Sequence, residues 1–573
     1  MTKTNVKNLH SEVPNEEAID SENHYKGWPN AAGFDVRGDT RTKIELPISG
    51  HFPNYVAGSL YRTGPGQSKV PLANKGQDFV ISHWFDGFTT IHKFDLAPGD
   101  KGRCSRATYS SYNQTDELIE NVRKTGKIDD ITFAQKRDPC DSLYKKLKTV
   151  FRPSSSPPGA HKENIGVDFR ETLPTEADKT DHNGRRLLTV VSDATVAKQF
   201  DADTLEPLGV TDQHHIHKDL TGPLSAAHAS HDPETGDIFN YNLAFGPKSS
   251  TYRIFCASPT TGEVEVLATL SGYDIRGAYI HSLLLTDSFV ILCIWPAYFR
   301  HHGASLLWER NMLDAIQPWS KHPEDPANRA TWLVVDGRQG RGLVGKFQSP
   351  PFFCFHTVNA WEQPSIGDPT SVDLVCELFQ FDNTDIMHQL YLKNLVSNAP
   401  GAHNLPMERS FEHAGLARYK LKYVPLSGKV KLPEFPSQFP KAENIMYIPS
   451  PQSGDLPRIN PSYSLKPHRY VWAVCDRGKS SFVDGIVKTD THMQTCTYWE
   501  KEKHTPGEPI FIPNPDGNTE DDGVILCVVL NGETGNCYLL CLDAQNMTEM
   551  GHVEFGAAIG FGFHGKHVAA SRT

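Results

Sequence analysis

Short apolar segments separated by turn residues extend over most of the chain. Residues 289–295 and 524–530 are continuous apolar runs, far shorter than the roughly 18 residues that a membrane-spanning helix needs. Runs of this length between polar turns are typical of buried strands. From Ile44 almost to the C-terminus, such segments alternate with turns that contain Asp, Pro, Gly or Thr. The pattern predicts an all-β fold.

One local pattern recurs along the chain: a strand, a turn with Asp or Pro near Thr, Gly or Leu, and then a charged strand. Asp, Thr and Gly supply the local hydrogen bonds and the positive φ that a tight turn needs, so each copy predicts a β-hairpin. Hairpins repeated at irregular spacing predict the blades of a β-propeller, with a set of unrelated β-domains as the alternative. The copies lie at 200–209, 231–242, 258–267, 425–432 and 542–555.

Helical spacing interrupts the β pattern at 116–124 and 141–151, and 304–319 is a further amphipathic candidate. In the second segment, apolar residues fall on one side, whereas Lys145, Lys146 and Lys148 fall on the other. The segment is either a surface helix packed on the core or a patch that lies on a membrane. The apolar residues of this candidate patch are Leu143, Tyr144, Leu147, Val150 and Phe151.

Composition narrows the function classes. A length of 573 residues allows three or four domains unless one large all-β unit takes up the chain. The 57 basic against 68 acidic residues give a net charge of −11, which excludes the basic footprint of a nucleic-acid-binding protein. The first 20 residues contain no apolar signal segment, and the 11 cysteines are dispersed without a CxxC pair. These features predict a cytoplasmic protein with reduced thiols.

The 26 histidines include four in strand-like settings: His228, His281, His356 and His564. Taken singly, each is more typical of a hydrogen-bonded core histidine than of a metal ligand. Local motifs such as HExxH, a Walker loop, GxSxG or GxGxxG are missing from a suitable strand–turn–helix context. A metal site could still be assembled from distant strands, as on the axis of a propeller.

Segments along nearly the whole chain, including those around the four histidines, are similar to the carotenoid cleavage oxygenase family. The other matching segments are GSLYRTGPG at 58–66, HWFDGFTTIHKF at 83–94, LPRINPSYSLKPHRYVW at 456–472, GEPIFIP at 507–513, EDDGVIL at 520–526 and FHG at 563–565.

The resemblance implies a seven-bladed β-propeller with one Fe(II) on its axis and a cap of loops and helices over one face. By this resemblance His228, His281, His356 and His564 hold the iron, and neutral imidazoles are suitable ligands for it. The chain then divides into a polar extension at 1–40 and one propeller at 41–573, with cap insertions at about 110–160 and 296–325.

In this family three glutamates accept the other ring N–H of three of the histidines. The matching positions are Asp193, Asp455 and Glu508, so two of the three are one methylene shorter than in the family. Carboxylates in this role orient the imidazoles and balance the metal charge. Val167 matches the residue that crowds one open coordination position and leaves another for O2.

The activity implied by the resemblance is cleavage of one conjugated C=C bond by O2 to give two carbonyl products. The expected substrate is an apolar alkene: a carotenoid or apocarotenoid such as torulene. Alternatives are the same cleavage of stilbenes or phenylpropenes such as resveratrol and isoeugenol, a non-enzymatic propeller, or an isomerase. Stilbene-cleaving relatives carry a lysine directly before the first acid, where this chain has Ser192. A polyene at this site would require peripheral contact with membranes or lipid bodies, and the oligomeric state stays open.

Overall fold

Antiparallel sheets of consecutive strands account for most of the regular secondary structure in the described residues. The structure is a computed structural model that describes residues 27–73, 76–137, 159–173, 176, 184–320, 328–399, 401–402 and 414–570. The strands in chain order are β1 (Ile44–Leu46), β2 (Ile48–Gly50), β3 (Gly58–Gln67), β4 (Lys69–Pro71), β5 (Asp78–Val80), β6 (Phe88–Ala97), β7 (Arg106–Asn113), β8 (Asp168–Glu171), β9 (Leu187–Val191), β10 (Val196–Asp201), β11 (Pro207–Asp212), β12 (Ser230–His231), β13 (Ile238–Phe245), β14 (Ser250–Ala257), β15 (Val264–Ser271), β16 (Leu284–Leu285), β17 (Phe289–Ile294), β18 (Ala330–Asp336), β19 (Leu343–Ser349), β20 (Thr357–Pro364), β21 (Ser371–Phe381), β22 (Ala414–Pro425), β23 (Glu443–Pro449), β24 (Asp455–Arg458), β25 (Tyr470–Cys475), β26 (Gly485–Asp490), β27 (Thr495–Trp499), β28 (His504–Pro506), β29 (Ile510–Pro513), β30 (Gly523–Asn531), β31 (Asn536–Asp543), β32 (Glu549–Glu554) and β33 (Gly565–Ala569).

Within the described ranges these strands form seven blades and one two-stranded ribbon, β4–β5. Blades II to VI are four-stranded and consecutive: β8–β11, β12–β15, β16–β19, β20–β23 and β24–β27. Blade I has the order β33-β3-β6-β7-β1, and blade VII joins β28 and β29 to β30, followed by β31, β32 and β2. The predicted all-β seven-bladed propeller is confirmed.

The ring is closed by strands from both ends of the chain. In blade I, β33 pairs with β3, so that Gly565 lies opposite Arg62. In blade VII, β2 pairs with β32, so that Ile48 lies opposite Val553. Two neighbouring blades therefore each combine an early strand with a late one, and the ring cannot open without breaking one of these pairs of strands.

Blades stacked face to face explain the continuous apolar runs. All six residues of β17 are buried, because both faces of this strand pack against protein. Residues 524–530 fall within β30, whose side chains are also mostly buried. Both predicted buried strands are confirmed.

Four of the five predicted hairpins are observed: 200–209 joins β10 to β11, 231–242 contains β12 and β13, 258–267 joins β14 to β15, and 542–555 joins β31 to β32. The hairpin predicted at 425–432 is wrong. Strand β22 ends at Pro425 and the next strand starts at Glu443. Pro433, Pro436 and Pro440 lie between them, and each lacks the N–H that a ladder needs.

The helices of the described chain are short: α1 (Asp116–Thr125), α2 (Gln213–Ile216), α3 (Ser305–Glu309), α4 (Met312–Ala315), α5 (Asp385–Gln389) and α6 (Leu392–Leu395). Helix α1 confirms the helix predicted at 116–124. It buries Leu118, Ile119 and Val122 and ends at Gly126, whose φ is +74°. Among the described helices none is long and apolar enough to cross a bilayer.

The amphipathic segment predicted at 304–319 is not one helix. It is divided into α3 and α4 at Arg310, which has a φ of +49°, and Asn311 caps the second helix by accepting the N–H of Asp314. A left-handed residue cannot continue an α-helix, so the turn ends there. The candidate patch at 141–151 lies outside the described residues.

Candidate metal centre and its cavities

The four histidines predicted from sequence meet on the propeller axis. Each lies just before the innermost strand of its blade: His228 before β12, His281 before β16, His356 before β20 and His564 before β33. Their ligand nitrogens all lie within 4.8 Å of one another. The Nε2 atoms of His228 and His281 are 3.1 Å apart, and those of His356 and His564 are 3.3 Å apart.

The three predicted carboxylates lie against the outer nitrogens of three of these rings. The Nδ1–H of His281 donates to Asp193 at 2.7 Å. The Nδ1–H of His356 donates to Asp455 at 2.6 Å, and that of His564 donates to Glu508 at 2.8 Å. The two aspartates therefore reach their rings at the same distance as the glutamate does. A proton on Nδ1 leaves the lone pair of each Nε2 directed at the centre of the cluster.

A fourth carboxylate, not predicted from the sequence, contacts the remaining histidine. Asp168 Oδ2 accepts the Nδ1–H of His228 at 2.8 Å, so all four rings have an acidic partner. Asp168 directly follows Val167, which lies in the wall of the cavity beside the histidines. The signal available in the sequence was an acidic residue at the start of a strand segment, next to a residue already matched to the family.

Glu508 is the most deeply buried of these acids and has the most partners. It forms ion pairs with Arg62 and Arg458, both at 2.8 Å, and accepts the backbone N–H of Gly565 at 2.8 Å. Burial raises the pKa of Glu508, and the two guanidinium groups oppose that shift. The carboxylate that orients His564 is thus itself fixed from three sides.

Burial keeps two of the histidine rings neutral. It lowers the pKa of His228 to about 4, in spite of the opposing effect of Asp168. It also holds the pKa of His564 well below its ordinary value, with His228 adding to the effect. At neutral pH both rings are therefore in the form that binds a metal.

The cluster fits one divalent transition-metal ion. Imidazole nitrogens are suitable ligands for iron and its neighbours in the first transition series. Two nitrogens bound at about 2.1 Å to one ion, with a right angle between the bonds, lie about 3 Å apart. The observed separations of 3.1 and 3.3 Å match this spacing.

A cavity of about 290 Å³ reaches His281, His356 and His564 from one face of the propeller. Its wall combines residues around α1, 128–133, 162–167, Met312 and α5 with the blade loops. Ser192 and Val167 also line it. The aromatic side chains in the wall are Trp84, Phe85, Phe133, Phe355, Phe482 and Phe563. The cavity therefore suits an elongated apolar molecule that ends at the four histidines.

A second cavity, of about 560 Å³, reaches the cluster along the innermost strands. It is lined by His228, Asp168 and Glu508, together with polar residues such as Arg458 and Lys566. His356 and His564 border both cavities, whereas His281 borders the first and His228 the second. The candidate metal position thus borders an apolar aromatic cavity and a second cavity whose wall mixes charged and polar residues with apolar ones.

The turn that carries Phe85 into the apolar cavity depends on His83. This ring is fully buried, accepts the N–H of Phe85 through Nδ1 at 3.2 Å, and donates from Nε2 to the carbonyl of Met387 at 2.8 Å. Asp86, in the same turn, accepts the backbone N–H groups of Phe133 and Ala134. One short turn therefore fixes two segments of the cavity wall.

We expect His83 to make the protein sensitive to acid. Burial lowers its pKa to about 3, against about 6.5 in an unfolded chain. Between these values the unfolded chain binds a proton that the folded protein does not. The free energy of unfolding should therefore fall as the pH is lowered through this window, by about 1.4 kcal/mol per pH unit. His83→Asn keeps an acceptor for Phe85 but cannot titrate, so its urea midpoint should depend less on pH. The exposed His492→Asn should behave like wild type, and an unchanged slope in His83→Asn would contradict the assignment.

Comparison with known proteins agrees with this architecture. Residues 33–569 match the family profile described as retinal pigment epithelial membrane protein. A carotenoid dioxygenase of Neurospora crassa is 40% identical, covering 96% of this chain and 92% of its own length. A torulene dioxygenase of Gibberella fujikuroi is 38% identical, covering 96% and 95%.

Solved structures show the same fold. A variant of the Synechocystis apocarotenoid oxygenase superposes with a TM-score of 0.69 at 19% identity, covering 96% of this chain and 100% of that one. The cobalt-substituted form of the same Synechocystis protein has a TM-score of 0.66 and covers 95% and 99%. Identity this low relates the folds alone.

Proposed function

This chain belongs to the retinal pigment epithelial membrane protein (RPE65) family of carotenoid oxygenases, and we propose that it is an Fe(II)-dependent dioxygenase that cleaves one conjugated C=C bond of a carotenoid or apocarotenoid such as torulene. Relatives named as dioxygenases, at 38–40% identity over nearly the whole chain, support an oxygenase rather than an isomerase or a scaffold. The observation that carries the proposal is the convergence of four imidazole Nε2 atoms where an apolar aromatic cavity ends.

In this proposal His228, His281, His356 and His564 hold the iron, which when bound supplies the activation of O2. Asp168, Asp193, Asp455 and Glu508 hold the protons on the outer ring nitrogens, so that the inner nitrogens stay available. The aromatic wall excludes water and fixes which double bond lies next to the histidines. Val167 remains our candidate for the side chain that narrows the open coordination sites.

The wall of the cavity favours a polyene over a phenol. Ser192 stands where the stilbene-cleaving relatives have a lysine, and it has no charge with which to polarise a phenol hydroxyl. Lys162 does line the cavity, but its side chain is 43% exposed and its Nζ lies 3.9 Å from Glu117. We therefore assign binding to apolar contact along the chain of a polyene.

The test is cleavage of torulene and a β-apocarotenal against resveratrol and isoeugenol, with iron content and O2 uptake measured in parallel. We expect aldehyde products from the polyenes in proportion to bound iron. Fast turnover of the phenols without turnover of the polyenes would reassign the enzyme to stilbenes or phenylpropenes. Absence of both iron and O2 uptake would leave the binding scaffold or the isomerase.

The acids are expected to act through the histidines rather than on the substrate. Asp455→Asn keeps an oxygen for His356 but loses the charge, and changes of this kind typically cost 10–100-fold in metal affinity or activity. We expect this loss in iron affinity and in kcat together, because the Asp455 carboxylate accepts the Nδ1–H of His356. The exposed Asp219→Asn is the control, and wild-type iron occupancy and kinetics in Asp455→Asn would refute the role.

We also propose that the protein works in the cytoplasm at the surface of membranes or lipid bodies, since a polyene partitions into lipid. Ile131, which lines the cavity, is 50% exposed, and Leu307 and Trp308 of α3 are 55% and 41% exposed. The two segments are joined by the N–H of Thr132, which donates to the carbonyl of Arg310. Apolar side chains beside a cavity mouth suit insertion into a lipid surface.

Liposome flotation tests this placement. We expect Leu307→Asp/Trp308→Asp to bind vesicles less than wild type does, with cleavage of detergent-dispersed substrate retained. Leu147→Asp/Phe151→Asp tests the patch predicted from sequence in the same assay. Equal flotation of both variants and wild type would contradict lipid contact at either place.

A further inference from the structure

Every blade of the propeller contributes one side chain to the site around the axis. The innermost strands are β33, β8, β12, β16, β20, β24 and β29 for blades I to VII, and the beginning of each brings one side chain to the axis. Four of these side chains are the histidines of blades I, III, IV and V, and the remaining three are acidic. These acids are Asp168 from blade II, Asp455 from blade VI and Glu508 from blade VII.

Asp168 is held by two hydrogen bonds, as Asp455 is. One of its oxygens accepts the Nδ1–H of His228 at 2.8 Å, and the other accepts the backbone N–H of Phe169 at 2.8 Å. Its backbone pairs with Val191 in the ladder of β8 and β9. The side chain is 25% exposed, against 12% for Asp193 and 16% for Asp455. It lines the second cavity and is not part of the wall of the apolar one.

The charges around the four histidines come to −2. Asp168, Asp193, Asp455 and Glu508 are negative, and the guanidinium groups of Arg62 and Arg458 are positive. An imidazole that binds a metal through Nε2 carries its one proton on Nδ1 and is neutral. A divalent ion at the centre would therefore be balanced when Asp168 is ionised, and would leave an excess of +1 without it. Charge burial of this kind is costly unless it is compensated.

We propose that Asp168 is a positioning residue for the metal: it orients His228 and supplies the charge that balances a divalent ion. This inference rests on the proposed function, since it concerns the same four histidines. Because Asp168 borders the second cavity and not the apolar aromatic one, its effect should reach the metal and not the binding of the alkene. The substitution Asp168→Asn preserves the shape of the side chain while removing its charge.

The experiment compares wild type with Asp168→Asn and Asp168→Ala. The control is Glu171→Gln, which removes a charge from the same strand, β8. Glu171 is 53% exposed and forms an ion pair with Lys566. We expect Fe(II) and Co(II) to bind Asp168→Asn 10–100-fold more weakly in chelator competition. The Fe(III)/Fe(II) potential should shift to a more positive value, because the trivalent ion loses more from the missing charge. The visible spectrum of the Co(II) protein should change, and kcat should fall at constant KM for the polyene.

The outcomes separate this inference from the proposed function. Wild-type metal affinity, potential and Co(II) spectrum in Asp168→Asn would overturn the role of Asp168, even if wild type cleaves polyenes. A wild type that binds no metal would overturn the proposed function itself. Circular dichroism checks the fold of each variant. If Asp168→Ala does not fold, the Asn variant still decides, since it differs only in charge and in one hydrogen-bonding atom.

Discussion

The His564→Ala protein is expected to bind iron at least about 100-fold more weakly than wild type and to show no measurable cleavage. Four-ligand zinc sites in zinc-finger peptides contribute about 10–16 kcal/mol, so by analogy one ligand of four corresponds to about 3 kcal/mol, and each 1.4 kcal/mol is a factor of ten. The ring of His564 also lies at the end of the apolar cavity, and its Nε2 is 3.3 Å from the Nε2 of His356. Its loss would remove one of the inner nitrogens on which the proposed centre depends.

The fold should survive this substitution. Strand β33 is held by backbone pairing with β3, which does not involve the imidazole. Far-ultraviolet circular dichroism should match wild type, and iron analysis should report the change. His552→Ala serves as the control, because this ring is 38% exposed and pairs with Glu554 away from the axis. Full iron content and turnover in His564→Ala would refute the assignment of the metal ligands.

The Arg62→Met protein is expected to lose about 3–5 kcal/mol of stability, the usual cost of removing one partner of a buried ion pair. The side chains of Arg62 and Glu508 are 4% and 1% exposed, so the remaining carboxylate would be buried with Arg458 as its single guanidinium partner. Since Glu508 orients His564, iron affinity should fall as well. The measurements are the thermal midpoint and the iron content of the same preparation.

The matched control is Arg106→Met in the same blade. Arg106 is 57% exposed and lies 4.0 Å from Glu45, and exposed pairs of this kind contribute little. Arg62→Lys, which keeps the charge without the planar fork, should fall between the two. A thermal midpoint of Arg62→Met equal to that of Arg106→Met would show that the pair does not hold the blades together.

The parts of the structure that the sequence could predict are those with a local signal. The run of β17 and four of the hairpins were marked by their own composition, because strands and tight turns are selected by neighbouring residues. The prediction of a hairpin at 425–432 was wrong because Pro433, Pro436 and Pro440 prevent regular strand pairing directly after the turn. The break between α3 and α4 depends on the left-handed backbone of Arg310, a conformation that the presence of an arginine does not predict.

The candidate site likewise contains residues that the sequence could identify and one that it could not. Histidines separated by 53 to 208 positions could be grouped through their resemblance to a family, and the distances between them agree with that grouping. Asp168 was not identified as a partner of His228 because contact with a histidine 60 positions away leaves no local sequence pattern. Its position at the beginning of an innermost strand becomes informative once the seven blades are aligned around their axis.

The last strand of the ring has a consequence for how the protein is made. His564 immediately precedes β33, which completes blade I by pairing with β3, one of the first strands to be synthesised. A chain still emerging from the ribosome can therefore bring together His228, His281 and His356, but not the fourth ring. Under the proposed function, full metal affinity would arise only when translation has passed this strand and the two ends have met. Iron loading would then act as a checkpoint that distinguishes a finished propeller from a truncated one.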